Sequence, residues 1–121
     1  MTTTLFHYLY RDADNYKASG VIALSGKLDD ERWKATLTKF EEGTWFVAEQ
    51  LDVPTLYHIL YQYSGGPTSA DHCWHEFVEL EVTGDHPPDM TPWGSAEEFS
   101  ARVLAVRDWH GELSPNFLLD A

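Results

Sequence analysis

The sequence predicts an α+β fold, a four- to five-stranded antiparallel or mixed sheet with two helices packed on one face. Three observations lead there. The first is the alternation in Leu5-Phe6-His7-Tyr8-Leu9-Tyr10-Arg11, a period of two that suits a strand. The second is helix-start chemistry at two places, Leu28-Asp29 and Ser95-Ala96-Glu97-Glu98. The third is a pair of aromatic and β-branched runs, Thr44–Glu49 and Trp74–Val82, lying between them. Helices spaced after strands argue for an antiparallel or mixed sheet with both helices on one face. At 121 residues, 43% apolar and 14% aromatic, the chain fits one globular domain over 1–121 with a sizeable core.

In the first strand Phe6, Tyr8 and Tyr10 share one face and Leu5, His7 and Leu9 the other, so both faces are covered. Asp12-Ala13-Asp14-Asn15 is turn chemistry, because short Asx side chains bond their own backbone. The chain returns through Tyr16-Lys17-Ala18, is broken by Gly20 and resumes as Val21–Leu24, which predicts a hairpin with a loose or bulged return.

Asp29 is placed as the N-cap of the first helix, with Leu28 stapled against Trp33 and Asp30 and Glu31 at the positive end of the dipole. Trp33, Leu37 and Phe40 form one apolar stripe, and Gly43 suits the left-handed residue after the helix. Thr44–Glu49 reads as a buried strand, stopped by Asp52-Val53-Pro54.

Residues 55–63 carry two patterns. Alternation groups Tyr57, Ile59, Tyr61 and Tyr63; helical spacing groups Leu56, Ile59, Leu60 and Tyr63. The tyrosines and the isoleucine favour a strand. Ser64–Ala70 is a flexible connection. Trp74–Val82 is a strand, and Thr83–Pro92 is a loop that Pro87 and Pro88 keep out of any sheet. Ser95 and Glu98 form a capping box for the second helix, whose stripe is Phe99, Val103 and Val106. Phe117, Leu118 and Leu119 read as a docked apolar tail.

Charge narrows the function. Twenty acids against eight bases give a net −12, and no Lys or Arg occurs from Phe40 to Ala101, where twelve of the acids lie. A field of that sign repels phosphate backbones and anionic membranes, so neither nucleic acid nor membrane is an expected partner. It favours a basic protein surface or a hard cation. No apolar run exceeds four residues, against roughly 20 for a membrane span, and Met1-Thr2-Thr3-Thr4 lacks secretory-signal features. Cys73, the single cysteine, rules out an intramolecular disulfide and fits a reducing compartment. A cytoplasmic location is expected.

Two motifs look familiar: Tyr10-Arg11-Asp12-x-x-Asn15-Tyr16-Lys17, and Asp71-His72-x-Trp74-His75-Glu76, with Trp45–Pro54 between them. In that order they resemble a family of small uncharacterised proteins from bacteria, plasmids and phages. The resemblance covers most of residues 5–80 and implies no activity. That family more often carries Pro where Val47-Ala48 precedes Glu49, and Pro in place of Cys73, which argues against a nucleophilic Cys73.

The cluster Asp71–Glu76 concentrates the reactive side chains. His72, His75 and Glu76 are the candidate metal ligands, with Asp85 and His86 a loop away. In an extended strand His72 and His75 would face apart and could not share an ion. Counted from Trp74, strand alternation puts Glu76 in a row with Trp74, Val78, Leu80 and Val82, so a buried carboxylate is expected, paired with Arg11 or Lys17. As an enzyme the chain would use Glu76, His75 and Arg11 for acid–base chemistry. A Cys73/His75 nucleophile is disfavoured, since strand neighbours face apart and the acidic surroundings raise a thiol pKa. No phosphate loop, Ser-centred elbow or kinase signature occurs, and no cofactor is expected.

Together these features predict a small acidic intracellular interaction module that binds a basic protein surface. Its predicted contact residues are Tyr10, Arg11, Asp71, Trp74, Glu79 and Glu81. A phage- or plasmid-borne inhibitor that mimics nucleic-acid charge is the special case. The alternative is a metal-assisted hydrolase or lyase built on Asp71–Glu76.

Overall fold

A strand with large rings along one side is stable only if strands flank it and a second layer covers the rings. Both conditions hold in the computed structural model, which describes residues 2–12, 16–57, 59–60, 72–84 and 91–110. In chain order the elements are β1 (Thr3–Arg11), β2 (Lys17–Ser25), α1 (Asp30–Leu37), β3 (Trp45–Val47), β4 (Trp74–Thr83), β5 (Thr91–Ser95) and α2 (Ala96–Leu104). The sheet order is β3-β4-β1-β2-β5, with β1 central. β5 runs parallel to β2 and the other pairings are antiparallel, so the sheet is mixed. The α+β class, a five-stranded sheet with two helices, is as the sequence predicts.

Phe6, Tyr8 and Tyr10 define the inner face and are essentially inaccessible. Both helices cover it. The Phe6 ring lies 4.9 Å from Phe99 of α2 and 6.2 Å from Phe40, just beyond α1. The helices meet through Trp33 against Phe99 and through a buried hydroxyl pair, Thr36 Oγ1 to Ser100 Oγ at 2.6 Å.

The helix starts follow the sequence. Asp29 Oδ1 accepts from the Arg32 N–H at 2.8 Å. Ser95 Oγ accepts from the Glu98 N–H at 3.0 Å, and Glu98 Oε1 accepts from the Ser95 N–H at 3.4 Å. Across the two helices Arg32 grips Glu97 with two bonds of 2.6 Å.

Five expectations need correction. First, β2 pairs with β1 in unbroken register: Gly20 does not break it but sits opposite Tyr8. A Cβ there would stand 2.8 Å from Leu56 Cδ2 and 3.1 Å from the Tyr8 ring, so glycine admits Leu56 to the core. Second, the irregularity lies in β4. His7 opposes Glu79 and Tyr8 opposes Phe77, which leaves Val78 as an extra residue. Third, Tyr57, Ile59 and Leu60 are helical, not extended. Leu56 and Tyr57 are buried, Leu60 packs on the core and Ile59 is exposed, the partition a helical turn makes.

Fourth, the end of the Thr83–Pro92 stretch is not loop, since β5 begins at Thr91. As the outermost strand it tolerates Pro92. Fifth, the predicted Thr44–Glu49 strand ends at Val47 and passes into a 3-10 turn, Ala48–Leu51. Gly43 does take a left-handed backbone, φ 72°, but in a hairpin rather than next to the helix end, where the cap is Thr38. The Ser64–Ala70 connection, Asp71, the 85–90 loop with His86 and the 117–119 tail lie outside the described residues.

Two outcomes are expected. Gly20→Ala must displace Leu56 or the Tyr8 ring, and should lower stability by about 1–3 kcal/mol in urea titrations. The Arg32 bonds hold the Glu97 carboxyl below its ordinary range. Its folded-state pKa is therefore the lower one, so the Arg32–Glu97 contribution is present above the unfolded value and is lost as pH falls through the folded one. Melting curves of the parent chain and Glu97→Gln should differ near neutrality and converge in acid.

Candidate functional site

The extra residue Val78 decides what faces outward. Below it, His75 and Phe77 point inward; above it, Leu80 does, opposite Phe6. Glu76, Glu79 and Glu81 consequently share the outer face with Leu9, His7 and Leu5 of β1. The expected buried row containing Glu76 does not exist. Its side chain is 24% exposed, with Arg11 Nε 3.3 Å from Oε1. The predicted partner is present, but as a half-exposed pair.

Two tryptophans flank that pair. Trp45 of β3 lies opposite Glu76 in register, and Trp74 lies two residues before Glu76 on the same face. The hairpin entering β3 adds two more carboxylates. Glu41 and Trp45 exchange backbone hydrogen bonds of 2.7 and 2.9 Å across the 42–44 loop. Glu42 and Gly43 make the turn with left-handed backbones, φ 53° and 72°. For Glu42 that conformation is uncommon and costs of order 1 kcal/mol. The result is a cleft of about 450 Å³ walled by Trp45, Trp74 and His72, with Glu41, Glu42 and Glu76 around it. Among the described residues Arg11 is its single lining Lys or Arg; Asp12 lines it too, its Oδ1 accepting from the Tyr16 N–H at 2.9 Å. Trp45, Glu41 and Glu42 are not among the six named contact residues, although both acids belong to the base-free acidic stretch expected to favour a basic surface. Their signal was Glu41-Glu42-Gly43-Thr44-Trp45, which reads equally as a helix end or a tight hairpin.

The two histidines behave differently from the metal expectation. His72 Nε2 donates to the Arg11 carbonyl at 2.6 Å, while its Nδ1 accepts from the Trp74 N–H at 3.0 Å. Both ring nitrogens are committed to the backbone, which fixes the Nε2–H tautomer. His75 is fully buried, and its Nε2 accepts from the Leu56 N–H at 3.0 Å. An accepting Nε2 means a neutral ring with its proton on Nδ1. The rings do not diverge as on an ideal strand: both lie against Tyr10, at 5.1 and 5.3 Å. His72 precedes β4, so strand alternation does not govern it. Among the described residues no three His, Cys, Asp or Glu side chains are grouped to hold a metal ion. His72, His75 and Glu76 are thus separated by role: backbone tie, core anchor, outer-face acid. The acid–base set of Glu76, His75 and Arg11 is divided in the same way, since His75 points inward.

Among the predicted contact residues, Tyr10 is inaccessible, because it carries the inner-face core and its hydroxyl accepts from the His72 N–H at 3.0 Å. Tyr10 therefore offers no surface to a partner. Arg11, Trp74, Glu79 and Glu81 do lie on the outer face, Glu81 3.0 Å from His7 Nε2. Two further tryptophans are structural. Trp93 and Trp109 donate their indole N–H groups to the carbonyls of Leu51 and Lys39, at 2.9 and 3.0 Å. Cys73 is buried, where it offers no accessible nucleophile.

His75→Phe keeps the volume but withdraws the acceptor from the buried Leu56 N–H. A loss of about 1–3 kcal/mol in urea unfolding is expected, with no change on adding a chelator to either chain. Compared with known protein families, with curated proteins and with solved structures, the chain matches none of them, so the chemistry of the cleft itself carries the functional reading.

Proposed function

We propose that the chain is an interaction module whose acidic cleft receives a lysine or arginine side chain from a basic protein surface. The observation that carries this reading is the placement of Trp45 and Trp74 beside Glu41, Glu42 and Glu76. Indole faces attract cations, by about 0.5–2 kcal/mol depending on desolvation. Carboxylates lining the same cleft add charge-assisted hydrogen bonds. Arg11 already answers Glu76, while Glu41 and Glu42 are exposed. A partner cation therefore gains two carboxylates without displacing the existing pair. Glu79 and Glu81 extend the same sign along the outer face and would steer a basic surface toward the cleft. Inhibition of a nucleic-acid-binding protein is the special case in which that basic surface ordinarily holds phosphate.

Immobilised chain should recover a basic protein from cell extract at about 0.1 M salt and release it near 1 M, as the screening length falls from about 10 to about 3 Å. Trp45→Ala and the double change Glu41→Gln/Glu42→Gln should each weaken capture several-fold while the fold persists. Salt-insensitive capture, or capture indifferent to both variants, would sink the proposal.

A further inference from the structure

β3 covers β4 only at Trp74, His75 and Glu76. One further bond, from the Phe77 N–H to the Thr44 carbonyl at 2.8 Å, closes that pairing. The chain on the β3 side has by then turned through Gly43 and Glu42. β4 itself runs on to Thr83, paired with β1 along its other side. Among the described residues its outward edge beyond Phe77 has no strand neighbour. Every second residue of such an edge directs its N–H and C=O outward. Val78 and Val82 along it are 49% and 57% exposed.

The two sides of this edge differ in chemistry. On the inner side lies a groove of about 570 Å³, formed by Leu80 and Val82 of β4 against Leu28, Trp33 and Leu37, with Asp30, Lys34 and Thr38 also lining it. On the outer side stand Glu79 and Glu81, both exposed. A strand laid along the edge would alternate its side chains between those two environments. One row would enter the groove against Leu80, Val82, Trp33 and Leu37, and the other would lie beside the glutamates. An edge guarded only against aggregation would carry charge on its inward-facing side as well, and this one carries valine and leucine there.

We infer that the open edge of β4 accepts an extended segment of a partner protein as an added strand, apolar on alternate residues and bearing lysine or arginine between them. Charge selects the occupant. A second copy of the chain would set its own Glu79 and Glu81 against these two, like charges across a strand pair. A basic segment pairs them instead. This site uses neither tryptophan of the cleft and shares with the proposed function only Glu79 and Glu81.

The probe is a capped peptide alternating lysine and valine, with a version methylated on alternate backbone nitrogens as control. Hydrogen exchange and amide chemical shifts are read on the full chain. Expected are slowed exchange within the Val78–Thr83 stretch, no binding of the methylated peptide, and binding about tenfold weaker to Val82→Lys. Val82 is exposed, so that variant should keep the parent circular dichroism. Glu79→Lys/Glu81→Lys should exchange preference to a glutamate–valine peptide. Equal binding of the methylated peptide, or shifts confined to residues around Trp45 and Trp74, would mean charge adsorption and overturn the inference while leaving the cleft reading intact. A concentration-dependent dimer that Val82→Lys abolishes would assign the edge to a second copy, and no binding at about 1 mM peptide would also overturn it.

Discussion

One extra residue in β4 governs which of that strand's side chains face the core. With strict alternation counted from His75, Glu79 and Glu81 would face the core; counted back from Leu80, Glu76 would. Any of these would cost several kcal/mol for a buried unpaired carboxylate. Inserting Val78 opposite the His7–Tyr8 step satisfies both halves. His75, Phe77 and Leu80 reach the core, and all three glutamates reach solvent. Val78 is the residue left over, and its side chain is half exposed because no inner position remains for it. The acidic outer face is thus a consequence of packing Phe77 against Phe6, at 5.2 Å, in register with Tyr8.

The inward half of the His72–Glu76 segment works as an anchor for a neighbouring stretch of chain. Three interactions hold residues 54–56 to the sheet: the Tyr8 hydroxyl donates to the Pro54 carbonyl at 2.6 Å, His75 accepts from the Leu56 N–H, and Gly20 makes room for the Leu56 side chain. Burial drives the Tyr8 phenol above its ordinary range, which keeps it a neutral donor at every relevant pH. Next to these, the Tyr57 hydroxyl donates to Glu49 Oε2 at 2.5 Å. A neutral histidine and Tyr8 satisfy backbone groups that an irregular segment would otherwise leave without partners, while Tyr57 satisfies a carboxylate. That requirement accounts for residue types that look catalytic when read along the chain.

Local signals were legible and non-local ones were not. Asp29 and the Ser95/Glu98 box mark helix starts through bonds spanning three residues, and the sequence contains all the information those bonds need. The Phe6-Tyr8-Tyr10 periodicity is equally local, and it correctly made β1 the covered strand. The Arg11–Glu76 pair was anticipated from opposite charges on polar segments, although its depth was not. The insertion at Val78 escaped because it is defined only by the partner strand: nothing in Phe77-Val78-Glu79 distinguishes it from regular alternation. Residues 55–63 carried strand-forming tyrosines, yet the inward requirement at Leu56, Tyr57 and Leu60 set a helical turn over intrinsic preference. β5 escaped because Pro92 argues against a strand until its place beyond β2, outermost in the sheet, is known.

The Arg11–Glu76 pair bears most directly on what the outer face is for. Exposed pairs of this kind contribute about 0–1 kcal/mol, too little to explain the arrangement as a device for stability. What the pair does is orient. It draws Glu76 toward β1, and together with the His72 bond to the Arg11 carbonyl it ties the end of β1 to the start of β4. Trp45 and Trp74 are then left with their rings bordering a cleft rather than covered by a long carboxylate side chain. The strained turn at Glu42 acts in the same direction, since it carries acid to that cleft and also turns the chain away from the remaining edge of β4. A single short hairpin therefore shapes both the Trp45–Trp74 cleft and, among the described residues, the uncovered edge of β4, the two features on which the proposed binding of a basic polypeptide rests.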